Sequence, residues 1–463
     1  MTADELREKL LVKQENGYNS LTEKQREEME AYAARYSAFI SSCKTEREAV
    51  SWAERQARER GFRPAEPGMK LKPGDKIYLN NRGKSFLAAV VGTEPLSGGA
   101  NITAAHIDSP RLDLKPHPLY EDSEIAYFKT QYYGGIKKYQ WTCVPLAVHG
   151  VVCLKDGSVL TVTVGEDESD PVFVVSDLLP HLASDQMKKT LAEGVAAEQL
   201  NVILGTEPLE GEGSDLVKLN ILRMLNEKYG MTEADFHSAE LTLVPAGRCR
   251  EAGLDRSLLA AYGHDDRSCA YAVLEPILSL GHPARTAVCV LADKEEIGSM
   301  GVTGMQSRAF EYFMEILCAG SEAPVSSSVC FSRSFCLSAD VSIAYDPNFA
   351  EVYDKRNISL LNHGAAVMKY TGSRGKSGAS DAPAEVVGRI RRILDEAGVM
   401  WQTTTLGKTD QGGGGTVALF MANRNIATID AGIPVLSMHA PLELCSKLDC
   451  WMLSRAAEAV YRS

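Results

Sequence analysis

The sequence predicts an α/β protein, with a mainly parallel sheet that has helices on both faces and an inserted β-rich domain. The first sixty residues place apolar side chains at helical spacing. After residue 247, apolar runs of strand length alternate with helical stretches, an order that implies parallel strands joined by helices. The segment between these two parts, residues 117–246, is rich in β-branched residues, which favour strands. We therefore predict one domain formed by residues 1–116 and 247–463 and an inserted domain at residues 117–246.

Composition excludes several classes of protein. The 463 residues carry a net charge of −12 and no long run of Lys and Arg, which argues against a nucleic-acid partner. No apolar stretch approaches the length of about 18 residues that a membrane span needs. The amino-terminal segment lacks the features of a secretory signal, and the eleven scattered cysteines contain no C-x-x-C pair. We expect a cytoplasmic protein with reduced thiols and no membrane partner.

Two helices and then strands are predicted in the first part of the chain. The segment TEKQREEMEAYAARYSAFISSC has helical spacing behind a threonine suited to an N-cap, and KTEREAVSWAERQARERGF repeats the pattern before a glycine. Strands are predicted in KIYLNNRGKSFLAAVVG, with a turn at Asn-Arg-Gly, and in ANITAAHIDSP, which ends in polar residues.

The inserted domain and the remaining α/β part have distinct patterns. In the insert, WTCVPLAVHGVVCLKDGSVLTVTVGEDESDPVFVV contains an Asp-Gly turn between two apolar runs, which predicts a hairpin. After residue 247 the order is helix (RSCAYAVLEPILSLG), strand (TAVCVLAD), helix (SRAFEYFMEILCAG), strand (SFCLSAD), helix (DAPAEVVGRIRRILDEAG), strand (NIATIDAG) and helix (KLDCWMLSRAAEAVYRS).

Five predicted strands end in residues of the types that bind metal ions. Ligands of open α/β sheets lie beyond the carboxyl ends of the strands. The residues found there are His106 and Asp108, Asp265 and Asp266, Glu295 and Glu296, Asp340, and His439. Each alone has an ordinary explanation, such as a helix N-cap for an aspartate or a solvated surface for a glutamate pair. Their occurrence at five strand ends together favours a two-metal hydrolase site.

Charge and coordination explain why such a site needs these residue types. Two Zn²⁺ ions about 3.5–4 Å apart repel each other unless a carboxylate bridges them, and each prefers N and O ligands with one position open for water. Two histidines, one bridging aspartate and two further carboxylates satisfy both ions. A general base is well placed next to a ligand in the sequence, which offers a role for each member of the adjacent pair Glu295 and Glu296.

Several motifs resemble those of a known enzyme family. They are AHIDSPRLDLKP, DKEEIGSMG, SADVSIAYDPN and VLSMHAPLE, with GHDDRSCAY and GKTDQGGGGT as weaker matches. In this order the chain resembles the aspartyl aminopeptidase and aminopeptidase I family of dizinc metallopeptidases, and is most similar to its bacterial branch. The resemblance implies a metallopeptidase catalytic domain with an inserted dimerisation domain.

The resemblance also implies roles for individual residues. Two Zn²⁺ ions per subunit, or Co²⁺ or Mn²⁺ in their place, would be held by His106, Asp265, Glu296, Asp340 and His439. Glu295 would be the general base, and Asp108 would orient His106. Asp265 would bridge the ions, although the eukaryotic branch has Leu-Asp-Asn where this chain has His-Asp-Asp, which leaves Asp266 as an alternative.

Substrate and partner contacts are implied in the same way. Lys369, in AVMKY, matches a lysine that the aspartyl branch uses for acidic side chains, but the residues after it differ, which leaves the preferred amino-terminal residue open. The family assembles as a homo-oligomer, a dodecamer built from dimers, in which the inserted domain sends a histidine to a neighbouring active site. His181, in LLPHLA, matches that histidine, and His149 is the alternative.

The sequence thus predicts a zinc-dependent aminopeptidase that removes the amino-terminal residue from peptides with a water activated by two metal ions. A metal-dependent deacylase or carboxypeptidase could use the same ligand set. A non-catalytic assembly scaffold is the alternative from another class, although a scaffold would have no need of a base beside a ligand.

Overall fold

Helices and strands cover most of the chain in the computed structural model, which describes residues 1–463. In chain order the helices are α1 (Ala3–Leu10), α2 (Glu23–Ser42), α3 (Glu46–Glu59), α4 (Leu216–Tyr229), α5 (His264–Ser279), α6 (Ala309–Gly320), α7 (Ser327–Arg333), α8 (Ser373–Lys376), α9 (Ala384–Glu396), α10 (Ala418–Asn423) and α11 (Lys447–Arg462). In chain order the strands are β1 (Arg63–Pro64), β2 (Lys76–Asn81), β3 (Ser85–Val90), β4 (Asn101–His106), β5 (Arg111–Asp122), β6 (Ile125–Tyr133), β7 (Leu146–Cys153), β8 (Val159–Val164), β9 (Val202–Gly205), β10 (Ala239–Pro245), β11 (Arg250–Ala252), β12 (Leu258–Ala261), β13 (Ala287–Ala292), β14 (Phe335–Ala339), β15 (Ser342–Ile343), β16 (Ala365–Met368), β17 (Trp401–Thr403), β18 (Ala427–Gly432), β19 (Pro434–Leu436) and β20 (Glu443–Ser446).

A nine-stranded sheet, in the order β1-β2-β3-β13-β4-β14-β18-β16-β17, forms the centre of the α/β part. Its four middle strands, β13, β4, β14 and β18, run parallel. Antiparallel pairings join these four to β3 on one side and to β16 on the other. The sheet is therefore mixed, and the predicted α/β class is confirmed.

Helices pack on both faces of this sheet because its central strands are apolar on both sides. In β13, Cys289 and Leu291 point into a core formed with α2, α3, α5, α9 and α11. The alternate residues Val288 and Val290 point into a second core with α6, α7 and α10. The alternation has the two-residue period of a strand, and it leaves no polar side chain in the middle of β13.

A second, antiparallel sheet has six strands in the order β8-β7-β10-β5-β6-β9. It has a core of its own around Trp141. Strands β7 and β8 form the hairpin predicted at the Asp-Gly turn. The first strand of this sheet begins at Arg111, ahead of the predicted boundary at residue 117. The division into two domains stays a prediction.

A third sheet, in the order β11-β12-β20-β19-β15, has five short strands. The strand pattern did not predict this sheet, because strands of two to four residues carry too little periodicity to be assigned to one sheet or another. Two of its strands, β12 and β19, precede Asp265 and His439. The predicted site residues therefore come from two sheets.

Candidate metal centre

Three adjacent parallel strands of the nine-stranded sheet deliver four of the predicted site residues. Strand β4 ends at His106, β14 is followed by Asp340, and β13 is followed by a short turn that carries Glu295 and Glu296. Lys294, with φ of 66°, adopts the left-handed conformation at the start of that turn. Because β13, β4 and β14 are neighbours, their carboxyl ends place these side chains at one edge of the sheet.

The five-stranded sheet brings the other two metal-ligand candidates to the same edge. Asp265 lies at the start of α5, after a turn at Gly263 with φ of 77°, and the peptide bond between Asp265 and Asp266 is cis. The guanidinium of Arg267 fills the space that a Cβ at position 263 would occupy, so glycine is required there on both counts. His439 follows β19 and also has a positive φ, of 66°.

Asp265 lies between the two histidines. Its Oδ1 atom is 3.2 Å from Nε2 of His106, and its Oδ2 atom is 3.0 Å from Nε2 of His439. Glu296 Oε1 is 3.5 Å from the same nitrogen of His439, and Glu295 Oε2 is 3.9 Å from Nε2 of His106. The two oxygens of one carboxylate therefore face two different imidazoles.

The opposite nitrogen of each imidazole faces an acceptor. Nδ1 of His106 lies 3.0 Å from the carbonyl oxygen of Asp108 and 3.2 Å from its Oδ1 atom. Nδ1 of His439 lies 2.7 Å from the carbonyl oxygen of Gly135. An Nδ1–H that donates to these acceptors leaves Nε2, which faces Asp265, as the nitrogen that can give up its proton to a metal ion.

Asp108 also fixes the turn that carries the glutamate pair. The backbone N–H of Glu295 donates to its Oδ1 atom at 3.1 Å, and the N–H of Glu296 donates to Oδ2 at 3.2 Å. One buried carboxylate thus orients His106 and holds both glutamates.

Negative charge dominates the site. Seven carboxyl groups gather around the two imidazoles, those of Asp108, Asp265, Asp266, Glu295, Glu296, Asp340 and Glu443. None has a Lys or Arg within ion-pair distance; the ion-pair partners are His106 and His439 alone. Desolvation of so many carboxylates is costly unless cations neutralise them.

The pKa values reflect this imbalance. Burial, with the charges of Asp108 and Asp265, raises the pKa of Glu295 to about 7. Burial also raises the pKa of Glu443 to about 8 and those of Glu296 and Asp340 well above the usual range of carboxyl groups.

Groups flanked by opposite charge have pKa values shifted so that their ionised forms are favoured instead. Burial disfavours the ionised form of Asp265, but hydrogen bonds from His106 and His439 outweigh it and lower the pKa of Asp265. Burial likewise opposes protonation of His439, yet Asp265 and Glu296 raise its pKa to about 10. The imidazoles thus act as the cations of this site.

The donor set fits divalent metal ions. Imidazole nitrogens and carboxylate oxygens are the ligands that zinc accepts alongside thiolates. His106, Asp265 and Glu296 place donor atoms within 4.8 Å of one another. His106, Asp266 and Asp340 do so as well. Oε1 of Glu296 and Oδ1 of Asp266 are buried with no hydrogen-bond donor, as expected for atoms that face a cation.

Three positions at the site were missed by the sequence analysis. Glu443 accepts the N–H of Asp265 at 3.1 Å and that of His439 at 2.7 Å. Tyr133 donates its hydroxyl to Asp108 at 2.8 Å, and Gly135 accepts from His439. Glu443, four residues after His439, stood within the motif VLSMHAPLE. Tyr133 and Gly135 gave no such signal, since they belong to the inserted segment, which was predicted to mediate assembly and to send a histidine to a neighbouring active site.

The remaining predicted residues do not touch this cluster within the chain. Lys369, just after β16, lies 3.7 Å from Asp381, with its side chain 49% exposed. His181 is exposed in the segment between β8 and β9. His149 is buried between Glu48, at 2.8 Å, and Glu166, at 3.0 Å.

Comparison with known proteins identifies the family. A sequence model described as aminopeptidase I zinc metalloprotease (M18) matches residues 39–461. The chain belongs to the M18 family. A probable M18 family aminopeptidase 1 from Clostridium acetobutylicum is 48% identical over 449 residues, which cover 96% of this chain and 97% of the relative.

Solved structures agree with this assignment. The crystal structure of an M18-family aminopeptidase from Thermotoga maritima has a TM-score of 0.93 and 43% identity, and covers 98% of this chain and 100% of that one. The mApe1 dodecamer of S. cerevisiae has a TM-score of 0.75 at 20% identity and covers 94% of this chain and 98% of that one, a likeness of fold alone.

The predicted resemblance and enzyme class are therefore confirmed. This M18 chain is a zinc-dependent aminopeptidase, which disfavours the deacylase, carboxypeptidase and scaffold alternatives. No helix combines the length and hydropathy that crossing a membrane requires.

The stability of the metal-free enzyme should fall as pH rises from about 5 to about 8. In the folded state Glu295 has a pKa of about 7 and Glu443 a pKa of about 8, whereas glutamates in the unfolded chain have a pKa of about 4.3. His439, with a folded pKa of about 10 against about 6.5 unfolded, acts in the same direction. Because the folded state binds more protons across this window, raising the pH favours unfolding.

The midpoint of thermal unfolding measured across this pH range tests this expectation. Zinc should restore the midpoint most strongly at the alkaline end, where fewer protons compete with the ion. Glu295→Gln, which cannot ionise, should make the dependence shallower. A midpoint that stays level or rises with pH in the metal-free protein would contradict the proposed charge balance.

Proposed function

We propose that this M18 enzyme removes the amino-terminal residue from peptides by means of a water molecule activated between two Zn²⁺ ions. The observation that carries the proposal is the position of Asp265, whose two carboxylate oxygens face the Nε2 atoms of His106 and His439 at 3.2 and 3.0 Å. A carboxylate shared in this way is what two adjacent ions need.

The remaining ligands divide between the two positions. His106 and Asp340 would hold one ion, and His439 and Glu296 the other, with Asp265 common to both. Asp266 is the less favourable bridge because its Oδ2 atom already accepts the backbone N–H of His106 at 3.2 Å. When bound, the pair of ions supplies a water that deprotonates at neutral pH and a Lewis acid for the peptide carbonyl.

Glu295 is the proposed general base. Its carboxylate lies near His106 without a backbone or side-chain donor of its own, which leaves it free to accept a proton from the attacking water. Its pKa of about 7, raised by burial, suits a group that must accept a proton and then release it to the leaving amine. Asp108 holds the backbone of Glu295 and so sets the direction of this carboxylate.

Glu295→Gln should lower kcat by about 10²–10⁴-fold, because the amide cannot take the proton, while zinc content stays near that of the wild type. Hydrolysis of an aminoacyl-nitroanilide and metal analysis of the same preparation measure the two quantities. Glu315→Gln, on the exposed side of α6, is the matched control and should leave both unchanged. Substantial turnover by Glu295→Gln would rule out Glu295 as the base.

The assembly we propose is a dodecamer built from dimers, with the six-stranded sheet and its loops as a dimerisation domain inserted in a mainly parallel-sheet catalytic domain. Five large apolar side chains are exposed in the loop that carries His181, namely Leu178, Leu179, Leu182, Met187 and Leu191. Exposed apolar groups at this density mark an interaction surface. In this proposal His181, which is exposed in that loop, reaches a neighbouring active site, whereas His149 is held within its own chain by two glutamates.

Two further assignments belong to the same proposal. Lys369 would contact the substrate side chain, and its partial neutralisation by Asp381 leaves the preferred amino-terminal residue open. A cytoplasmic location is supported by the eleven cysteines, all of which are free thiols.

Mixed oligomers test the shared site directly. Glu295→Gln and His181→Ala should each be nearly inactive alone. Co-expressed, they should recover partial activity, because a subunit with intact Glu295 receives His181 from its Glu295→Gln neighbour. The measurement is peptidase activity of the purified mixed oligomer beside both parents. Mixed assemblies no more active than the parents would contradict a His181 shared between subunits.

A further inference from the structure

We infer that the last residue of β6, Tyr133, and the two residues that follow it, Gly134 and Gly135, form a positioning segment for the metal centre, with the Tyr133 hydroxyl as its main contact. This inference rests on the proposed roles of Asp108, Glu296 and His439. It gives the inserted sheet a part in the chemistry of its own subunit.

The Tyr133 hydroxyl completes the environment of Asp108. This carboxylate is fully buried and receives four donors. Oδ1 faces Nδ1 of His106 at 3.2 Å and the N–H of Glu295 at 3.1 Å. Oδ2 accepts from the N–H of Glu296 at 3.2 Å and from the Tyr133 hydroxyl at 2.8 Å. Of the four, only the tyrosine hydroxyl comes from outside the nine-stranded sheet and its turns, so it links the two sheets.

The ring of Tyr133 is itself held in place. Arg111 faces Tyr133 across the β5–β6 pair, and its guanidinium carbon is 4.2 Å from the centroid of the ring. Arg111 is buried and donates to Glu46 at 2.7 Å and to Asp113 at 2.8 Å. Since Glu46 begins α3, the tyrosine is anchored through an ion pair to the α/β part of the chain.

The next two residues contact two more members of the site. Gly134 has φ of 72°, and a Cβ at this position would lie 3.3 Å from both Cβ and Oε2 of Glu296. Gly135 accepts from Nδ1 of His439 at 2.7 Å. Three consecutive residues therefore contact three members of the site. Asp108 orients His106, a ligand proposed for one ion, and Glu296 and His439 are the ligands proposed for the other. A shift of the six-stranded sheet would therefore displace residues that contact the metal centre.

Tyr133→Phe tests the hydroxyl, with Tyr132→Phe as the matched control. Tyr132 is 40% exposed and donates no hydrogen bond from its side chain. In Tyr133→Phe we expect zinc affinity, measured by competition with a fluorescent chelator, to fall by about 10-fold, and kcat to fall with little change in KM. Tyr132→Phe should match the wild type in both.

Gly134→Ala provides a second, independent variant, with Gly157→Ala as its control. Both glycines have positive φ, 72° and 86°, but a Cβ at position 157 would meet no atom within 4 Å. Gly134→Ala should lower zinc affinity, and Gly157→Ala should not. Equal zinc affinities in the two variants would overturn the inference.

A double-mutant cycle with Asp108→Ala separates this inference from the proposed function. If Tyr133 acts through Asp108, Tyr133→Phe should lower zinc affinity no further in the Asp108→Ala background. Normal affinity in Tyr133→Phe beside weakened affinity in Asp108→Ala, or losses that simply add, would overturn the inference and leave the proposed function standing. Normal affinity in Asp108→Ala would refute the proposed role of Asp108 and the inference with it.

Discussion

The concentration of negative charge around Asp265 is the constraint on which the rest of the structure depends. Seven carboxyl groups share a largely buried volume with two imidazoles and no lysine or arginine pairs with them. In isolation such a cluster would neutralise itself by taking up protons, and the raised pKa values of Glu295, Glu296 and Asp340 show that tendency. Divalent cations reverse this balance, because they favour the ionised carboxylates.

The architecture holds the charged groups together despite their repulsion. Three neighbouring strands of the nine-stranded sheet, two strands of the five-stranded sheet and the end of β6 each fix a part of the site. Buried carboxylates that accept backbone N–H groups connect these parts: Asp108 holds the glutamate turn, and Glu443 joins Asp265 to His439. Sites built on rigid elements with such supporting hydrogen bonds keep metal ligands in place before the ion arrives.

Much of this arrangement could be predicted from the sequence because the end of a buried strand can be recognised as the point where an apolar run gives way to polar residues. His106, Asp340 and the glutamate pair follow long apolar runs, and adjacency of their strands is the natural outcome of a parallel sheet. Asp265 and His439 were found by residue type and motif, but their separate sheet was not predicted, since β12 and β19 have only four and three residues.

The residues that sequence reasoning missed support the site from a distance along the chain. Tyr133 acts through a hydroxyl at the end of a strand of another sheet, and nothing in its local pattern distinguishes it from the neighbouring Tyr132. The same limit applies to Glu443, whose acceptance of two backbone N–H groups depends on how β20 packs against β12 and β19. Such contacts follow from tertiary structure alone.

Zinc stoichiometry with and without the shared carboxylate is the most direct measurement of the central claim. Mass spectrometry under native conditions, or metal analysis after removal of loosely bound ions, should give two Zn²⁺ per wild-type chain. Asp265→Asn, which keeps the size of the side chain but lacks its charge, should retain at most one. A wild-type chain that binds a single ion, or an Asp265→Asn chain that still binds two tightly, would contradict the account.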